Sequence, residues 1–238
     1  MSIKGIFFDS GMVLLYPTNK SWFISKDFFN IINKSDFEKI PEGKREEGFK
    51  KAQALLSFDE NLLVTNKKEE IEVFEKFYKE LSNNLPELNL NNLDIKKLAQ
   101  NLVEDNEKYS FYQETKPLLL TLRKTYKLAV VSDAWPSMRD SYSTSSLDKY
   151  FETIVISSEL GVLKPHKDMY NTALEATNLK PEECIFIDDN PENVIGANTL
   201  NILSLCLKRD YNEYIQTKES YPNLKVISNL NEIFDFIE

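Results

Sequence analysis

Histidine is almost missing from this chain: among 238 residues there is one, His166. Cysteine is scarce too, and Cys184 and Cys206 both stand in apolar, strand-like runs. That placement gives no support to a disulfide framework; it reads as two buried thiols in a reducing cytoplasm. Cations are in deficit, with 29 Lys and Arg against 38 Asp and Glu, a formal net charge of -9. A nucleic-acid backbone is gripped by clustered lysine and arginine, so this balance argues against a nucleic-acid partner. No apolar run reaches membrane-spanning length, which argues against a membrane protein. The N-terminus passes straight into Ile3–Phe8 without a basic leader or a small-residue cleavage site, so no signal peptide is expected. Internal repeats and low-complexity segments are absent as well. What is left is an ordinary soluble composition, 42% hydrophobic and 28% charged, long enough for one domain with an insertion or for two modest domains.

Hydrophobic patterning changes character twice along the chain. Ile3-Lys4-Gly5-Ile6-Phe7-Phe8 is a buried-strand run ending at Asp9. From Thr18 to about residue 110 strand signals give way to helical spacing. Trp22, Phe23, Phe28, Phe29, Ile31 and Ile32 recur at that spacing, and Ile71, Phe74, Phe77, Tyr78 and Leu81 form an amphipathic stripe after Thr65-Asn66. Four or so helices packed on one another are expected there. From Pro117 strands and helices alternate: strands at Leu128–Val131, Thr153–Ile156, Cys184–Ile187, Ile202–Leu205 and Val226–Ile227, and helices at Met169–Thr177, Pro191–Thr199 and Leu230–Ile237. Alternation of this kind predicts an α/β fold with a parallel sheet covered on both faces. The helical segment, residues 18–110, is then an insertion into an α/β core made of residues 1–17 and 111–238.

Polar residues stand just past the apolar strands: Asp9, Ser132, and the pair Asp188-Asp189. In a parallel sheet these ends share one edge, where open α/β sheets bind ligands. Lys164, in Gly161-Val162-Leu163-Lys164-Pro165, precedes a helix and can reach the same crevice. A carboxylate, a hydroxyl, an ammonium and an acidic pair suit phosphoryl transfer: Asp9 attacks phosphorus, while Ser132 and Lys164 stabilise charge on the equatorial oxygens. Several carboxylates held together call for a cation, and Mg²⁺ accepts carboxylate, carbonyl and water oxygens. Asp9, the Gly11 carbonyl and Asp189 are its expected ligands, with Asp188 in direct or water-mediated contact.

Four segments in order resemble the motif set of the haloacid dehalogenase-like (HAD) superfamily. They are Phe8-Asp9-Ser10-Gly11-Met12-Val13-Leu14, Val131-Ser132-Asp133, Leu163-Lys164-Pro165, and Phe186-Ile187-Asp188-Asp189-Asn190-Pro191-Glu192-Asn193-Val194. Each is weak alone; the ordered set is specific. The resemblance implies a Rossmann-like core with the insertion as an all-helical C1-type cap. It further implies Asp9 as nucleophile, Ser132 and Lys164 as phosphate binders with Asp133 beside them at the substrate, and Asp9 with Asp189 as magnesium ligands. Three positions depart from the pattern. Gly11 stands where family phosphatases usually carry their general acid, Asn193 where a second acidic residue is frequent, and Asp133 where Asn is common. Some capped members resemble this chain in having Gly at the acid position.

The expected activity is therefore Mg²⁺-dependent hydrolysis of a small phosphorylated metabolite through an aspartyl-phosphate on Asp9, by a monomer or homodimer. Without an acid at position 11, slower turnover or an easier leaving group is expected. Two alternatives stand beside it: a metal-independent 2-haloacid dehalogenase, for which Gly11 is permissive, and a non-catalytic phosphate-ligand binding or regulatory protein on the same fold. Plainer structural roles are open to several of these residues. Asp188, Asp189 and Ser132 can cap helices, Trp22 reads as core, His166 as an exposed helix start, and Trp135 as a residue that can face substrate.

Overall fold

The computed structural model describes residues 2–56 and 63–237. Among these, eight strands form: β1 (Gly5–Phe8), β2 (Leu15–Pro17), β3 (Tyr109–Phe111), β4 (Lys127–Ser132), β5 (Thr153–Ile156), β6 (Cys184–Asp188), β7 (Leu203–Leu207) and β8 (Lys225–Ile227). Six make one sheet in the order β5-β4-β1-β6-β7-β8, parallel throughout, as the alternation predicts. Side chains divide between the two faces by the two-residue strand period. Ile6, Phe8, Leu128, Val130, Ile185 and Ile187 join one hydrophobic cluster. Phe7, Ala129, Val131 and Phe186 join another. β1 opens on Gly5 because Leu179 Cδ1 lies 2.4 Å from where a β-carbon would stand.

Helices α1 (Phe28–Ile31), α2 (Lys34–Lys39), α3 (Glu42–Ala54), α4 (Lys67–Asn84) and α5 (Asn92–Glu104) all fall between β2 and β3. They hold a hydrophobic cluster of their own, built on Phe74, Phe77 and Leu81 of α4 and Ile95, Leu98 and Leu102 of α5. Asn66 starts α4 by accepting the Glu69 N–H, and Asn91 with Asp94 forms a reciprocal capping box on α5. β2 and β3 pair antiparallel, Leu15 opposite Phe111 and Pro17 opposite Tyr109. The expected division at 17/18 and 110/111 falls on this ribbon.

The rest of the chain supplies α6 (Thr115–Leu122), α7 (Met138–Thr144), α8 (Ser157–Leu160), α9 (Lys167–Thr177), α10 (Pro191–Thr199) and α11 (Tyr211–Ser220). Two local expectations need correction. Trp22 and Phe23 lie in a turn ahead of α1, not in a helix. The segment Leu230–Phe236 is a 3₁₀ helix. The ribbon, α7 and α11 carry no sequence signal, because each ribbon strand has three residues and α11 buries only Thr217. No helix among the described residues is long and apolar enough to cross a membrane.

Candidate active site

β1 sits in the middle of the sheet, with β4 on one side and β6 on the other, so strand order reverses there and a crevice opens at the carboxyl ends. Phe8 is level with Val130 and with Ile187. The next residues along these strands therefore meet: Asp9 donates its N–H to the Ile187 carbonyl at 2.8 Å, and Ser132 and Asp188 end the flanking strands.

Lys164 binds this group together from the loop between α8 and α9. Its side chain is 1% exposed, and the ammonium donates to Asp9 Oδ1 at 2.6 Å, Asp188 Oδ2 at 2.6 Å and the Val131 carbonyl at 3.0 Å. The loop is pinned by the Lys164 N–H, which donates to Asp133 Oδ1 at 2.9 Å. Asp188 is held from the other side by the Asn190 N–H at 2.7 Å and Asn193 Nδ2 at 3.0 Å. The helix-capping role weighed for the acidic pair goes instead to Asn190, which accepts the Glu192 N–H at the start of α10. Asp9, Asp188 and Asp189 can each turn one oxygen to a common point, these oxygens lying within 4.8 Å of one another. Ser132 is buried as a residue and lines the same cavity.

Charge is unbalanced here. Burial drives Asp9 far above the usual carboxylate range, and repulsion from Asp188 and Asp189 adds to it, against the pull of Lys164. Burial, with Asp188 beside it, pushes Asp189 up to about 6. Burial works against the Lys164 ammonium, yet Asp188 and Asp9 outweigh it and hold the lysine above its ordinary range. One ammonium against three carboxylates leaves an excess of negative charge. A set of oxygen donors with that excess fits a hard dication such as Mg²⁺.

The cavity over this edge measures about 410 Å³ and is lined by all seven residues read from the sequence as the site: Asp9, Gly11, Ser132, Asp133, Lys164, Asp188 and Asp189. Trp135 faces it too. His166 does not; it caps α9, its Nδ1 accepting the Asp168 N–H at 3.3 Å. Three of the lining residues outside the expected set bear on the chemistry. Trp22, read as core, brings its indole against Gly11, with Cη2 3.3 Å and Cζ2 3.6 Å from the position a β-carbon would take. Glu70 and Lys108 enter from the helical side. The signal for Glu70 was present: positions 70, 74, 77 and 81 share one helical stripe, so a carboxylate falls on the buried face of α4. Lys108 gave none.

A family model described as haloacid dehalogenase-like hydrolase matches residues 28–207, which include Ser132, Lys164 and the acidic pair and begin after Asp9. The chain is similar to a glyceraldehyde 3-phosphate phosphatase of Pyrococcus furiosus, 28% identical over 56% of this chain and 58% of that protein. It is also similar to a phosphoserine phosphatase of Thermus thermophilus, 28% identical over 58% of this chain and 56% of that one. The matched part thus spans little more than half of these curated relatives. Among solved structures, the putative HAD-hydrolase YfnB of Bacillus subtilis, bound to magnesium, superposes with a TM-score of 0.68 at 16% identity, covering 100% of this chain and 99% of that one.

Proposed function

The chain belongs to the haloacid dehalogenase-like hydrolase family, and we propose that within it the chain is a Mg²⁺-dependent phosphatase of small phosphate monoesters, with Asp9 as nucleophile. The observation that carries this reading is the grouping of Asp9, Asp188 and Asp189 within 4.8 Å, with the Lys164 ammonium on Asp9 and Asp188 and Ser132 lining the same cavity. Asp9 Oδ1 is tied to Lys164, while Oδ2 lies on the side of Gly11 and the Trp22 indole. Oδ2 attacks phosphorus, and the bond from phosphorus to the ester oxygen breaks with its electron pair leaving on that oxygen. Water then attacks the same phosphorus, freeing the Asp9 carboxylate and inorganic phosphate.

Ser132 and the Lys164 ammonium meet the equatorial phosphoryl oxygens, which carry the charge of the transition state. Asp9, Asp188, Asp189 and the Gly11 carbonyl are the residues that would hold Mg²⁺. When bound it draws charge from the phosphoryl group and lets two anions approach. The helical insertion covers the crevice and limits water. Phosphatase names among the relatives support the same direction. Carbon attack, as in a 2-haloacid dehalogenase, has less support, because the uncompensated acidic pair would repel a carboxylate substrate.

The test is phosphate release from an activated monoester with and without Mg²⁺. Release is expected with the metal, near-background release in chelator, and loss of at least about 10³-fold in Asp9→Asn. Equal rates for the parent and Asp9→Asn would end the reading. Halide release from a 2-haloacid in chelator would replace it with the dehalogenase.

A further inference from the structure

Two features of the cavity constrain the leaving group. The first is at Gly11. With no side chain there, no carboxylate points at the ester oxygen from position 11, and the Trp22 indole packs 3.3 Å from where a β-carbon would stand. The leaving oxygen receives no proton from position 11. The second is the wall that the leaving group faces. It is aromatic on two sides: Trp22 stands edge-on to Tyr109 with ring centres 5.4 Å apart, and Phe74 stands edge-on to Trp135 at 5.5 Å.

That wall offers no spare positive charge. Two lysines line the cavity among the described residues, Lys164 and Lys108. Lys164 is held by Asp9 and Asp188. Lys108 donates to Ser137 Oγ at 2.6 Å and to the Leu102 carbonyl at 3.0 Å. Ser137 in turn gives its hydroxyl to Glu70 Oε1 at 2.5 Å and its N–H to Glu70 Oε2 at 2.8 Å. The Lys108–Ser137–Glu70 group is therefore neutral as a whole and satisfied from within. Residues 57–62 add no lysine or arginine. Lys50 borders an adjoining pocket, not this one. A leaving group bearing a carboxylate or a second phosphate would lose its hydration here without gaining a partner.

Resting on the phosphatase reading, we propose that the substrate is a small aryl phosphate: a monoester of a phenol-type hydroxyl on an uncharged aromatic ring. Both features select the same chemistry. An aryl oxide leaves without an acid because the ring delocalises its charge, and the ring stacks or packs edge-on against Trp22, Phe74 and Trp135. A volume of about 410 Å³ lies toward the small end of ligand pockets, which suits a compact ester. In balance, the Asp9 oxygen to phosphorus bond forms as the phosphorus to aryl-oxygen bond breaks, and the aryl oxide takes a proton from water outside the step.

The experiment compares kcat/KM, with Mg²⁺ present, for four esters: phenyl phosphate, benzyl phosphate, phosphoserine and acetyl phosphate. Phenyl phosphate is expected to exceed benzyl phosphate, which keeps the ring but has a poor leaving oxygen, by at least tenfold. It should exceed phosphoserine, which adds charge, by at least tenfold. Acetyl phosphate has a good leaving group without a ring, and in Phe74→Ala and the milder Phe74→Leu the phenyl-to-acetyl ratio is expected to drop at least fivefold and about twofold. If acetyl phosphate is hydrolysed while benzyl phosphate or phosphoserine matches phenyl phosphate, the substrate class is wrong and the phosphatase reading stands. If none of the four is hydrolysed, the phosphatase reading fails and this inference with it.

Discussion

At Gly11 a β-carbon would meet the Trp22 indole tightly, at 3.3 Å, and Asp9 Oδ2 at an ordinary contact distance of 3.8 Å. The site is thus not an acid-bearing one with a single side chain trimmed away, since a ring borders the position closely. This has a consequence for repair. General acid catalysis contributes roughly 10²–10⁴-fold, so Gly11→Asp invites the expectation of a faster enzyme on poor leaving groups. The packing says otherwise: the new carboxylate would have to displace the indole or crowd the nucleophile. Gly11→Asp alone is expected to leave turnover of benzyl phosphate at or below the parent rate. Gly11→Asp combined with Trp22→Ala opens the space and should raise it by about tenfold or more, short of the full range because the acid is not otherwise positioned. Steady-state kcat on benzyl phosphate for the parent, the two single variants and the double variant decides the matter. A large gain in the single Gly11→Asp variant would mean the indole yields freely.

Between elements, the packing of α10 against the Lys164 loop governs where the ammonium sits. A β-carbon on Gly196 would fall 2.3 Å from Pro165 Cβ and 3.3 Å from Pro165 Cα, and Pro165 adjoins Lys164. Gly196→Ala must push helix and loop apart, and overpacking of this kind costs about 1–3 kcal/mol. Gly43 in α3 is the matched control, with nothing within 4 Å of its β-carbon position. Gly43→Ala should stabilise by up to about 1 kcal/mol through helix propensity. Urea midpoints measure both, and only Gly196→Ala should also lower phosphate release, since it moves Lys164 relative to Asp9 and Asp188. Equal midpoints for the two variants would count against the tight fit. Local periodicity made much of this legible: Pro191–Thr199 was read as a helix at its observed bounds, and Thr153–Ile156 as a strand. The strand ends were legible because buried parallel strands are apolar until they reach the crevice. What escaped was juxtaposition across sequence distance: the three-residue ribbon, the indole of Trp22 over Gly11, and Lys108 beside Ser137, 29 residues apart. No local pattern encodes those contacts, because they arise only once the helical insertion has packed on the sheet.

Across the whole molecule, the helical insertion and the α/β part are joined through charge buried at the cavity. Glu70 of α4 is 0% exposed and Lys108, just ahead of β3, is 5% exposed; Ser137, ahead of α7, links them. Lys67 of α4 also pairs with Asp140 of α7. Burial lowers Lys108 from 10.5 to about 8, although Glu70, Asp105 and Asp140 all favour its charge; Lys67 opposes it. Burial raises Glu70, against the pull of Lys108 and the Ser137 hydrogen bonds. The two groups act on stability with opposite signs. A raised Glu70 contributes stability below about 4.5 that is lost as pH climbs through its folded value. A lowered Lys108 makes the unfolded chain the better proton binder between about 8 and 10.5, so stability rises with pH across that window. The gap between 10.5 and about 8 sets the gain on the order of 3 kcal/mol at most. Removing one partner alone would strand the other charge in the interior, so the reference is the double variant Glu70→Gln with Lys108→Met. Unfolding free energies of parent and double variant, measured at steps from pH 8 to 10.5, should diverge in favour of the parent as pH rises, while exposed lysines cancel in the difference. A difference that stays flat would show that the Lys108 ammonium is solvated and adds no pH-dependent stability to the junction.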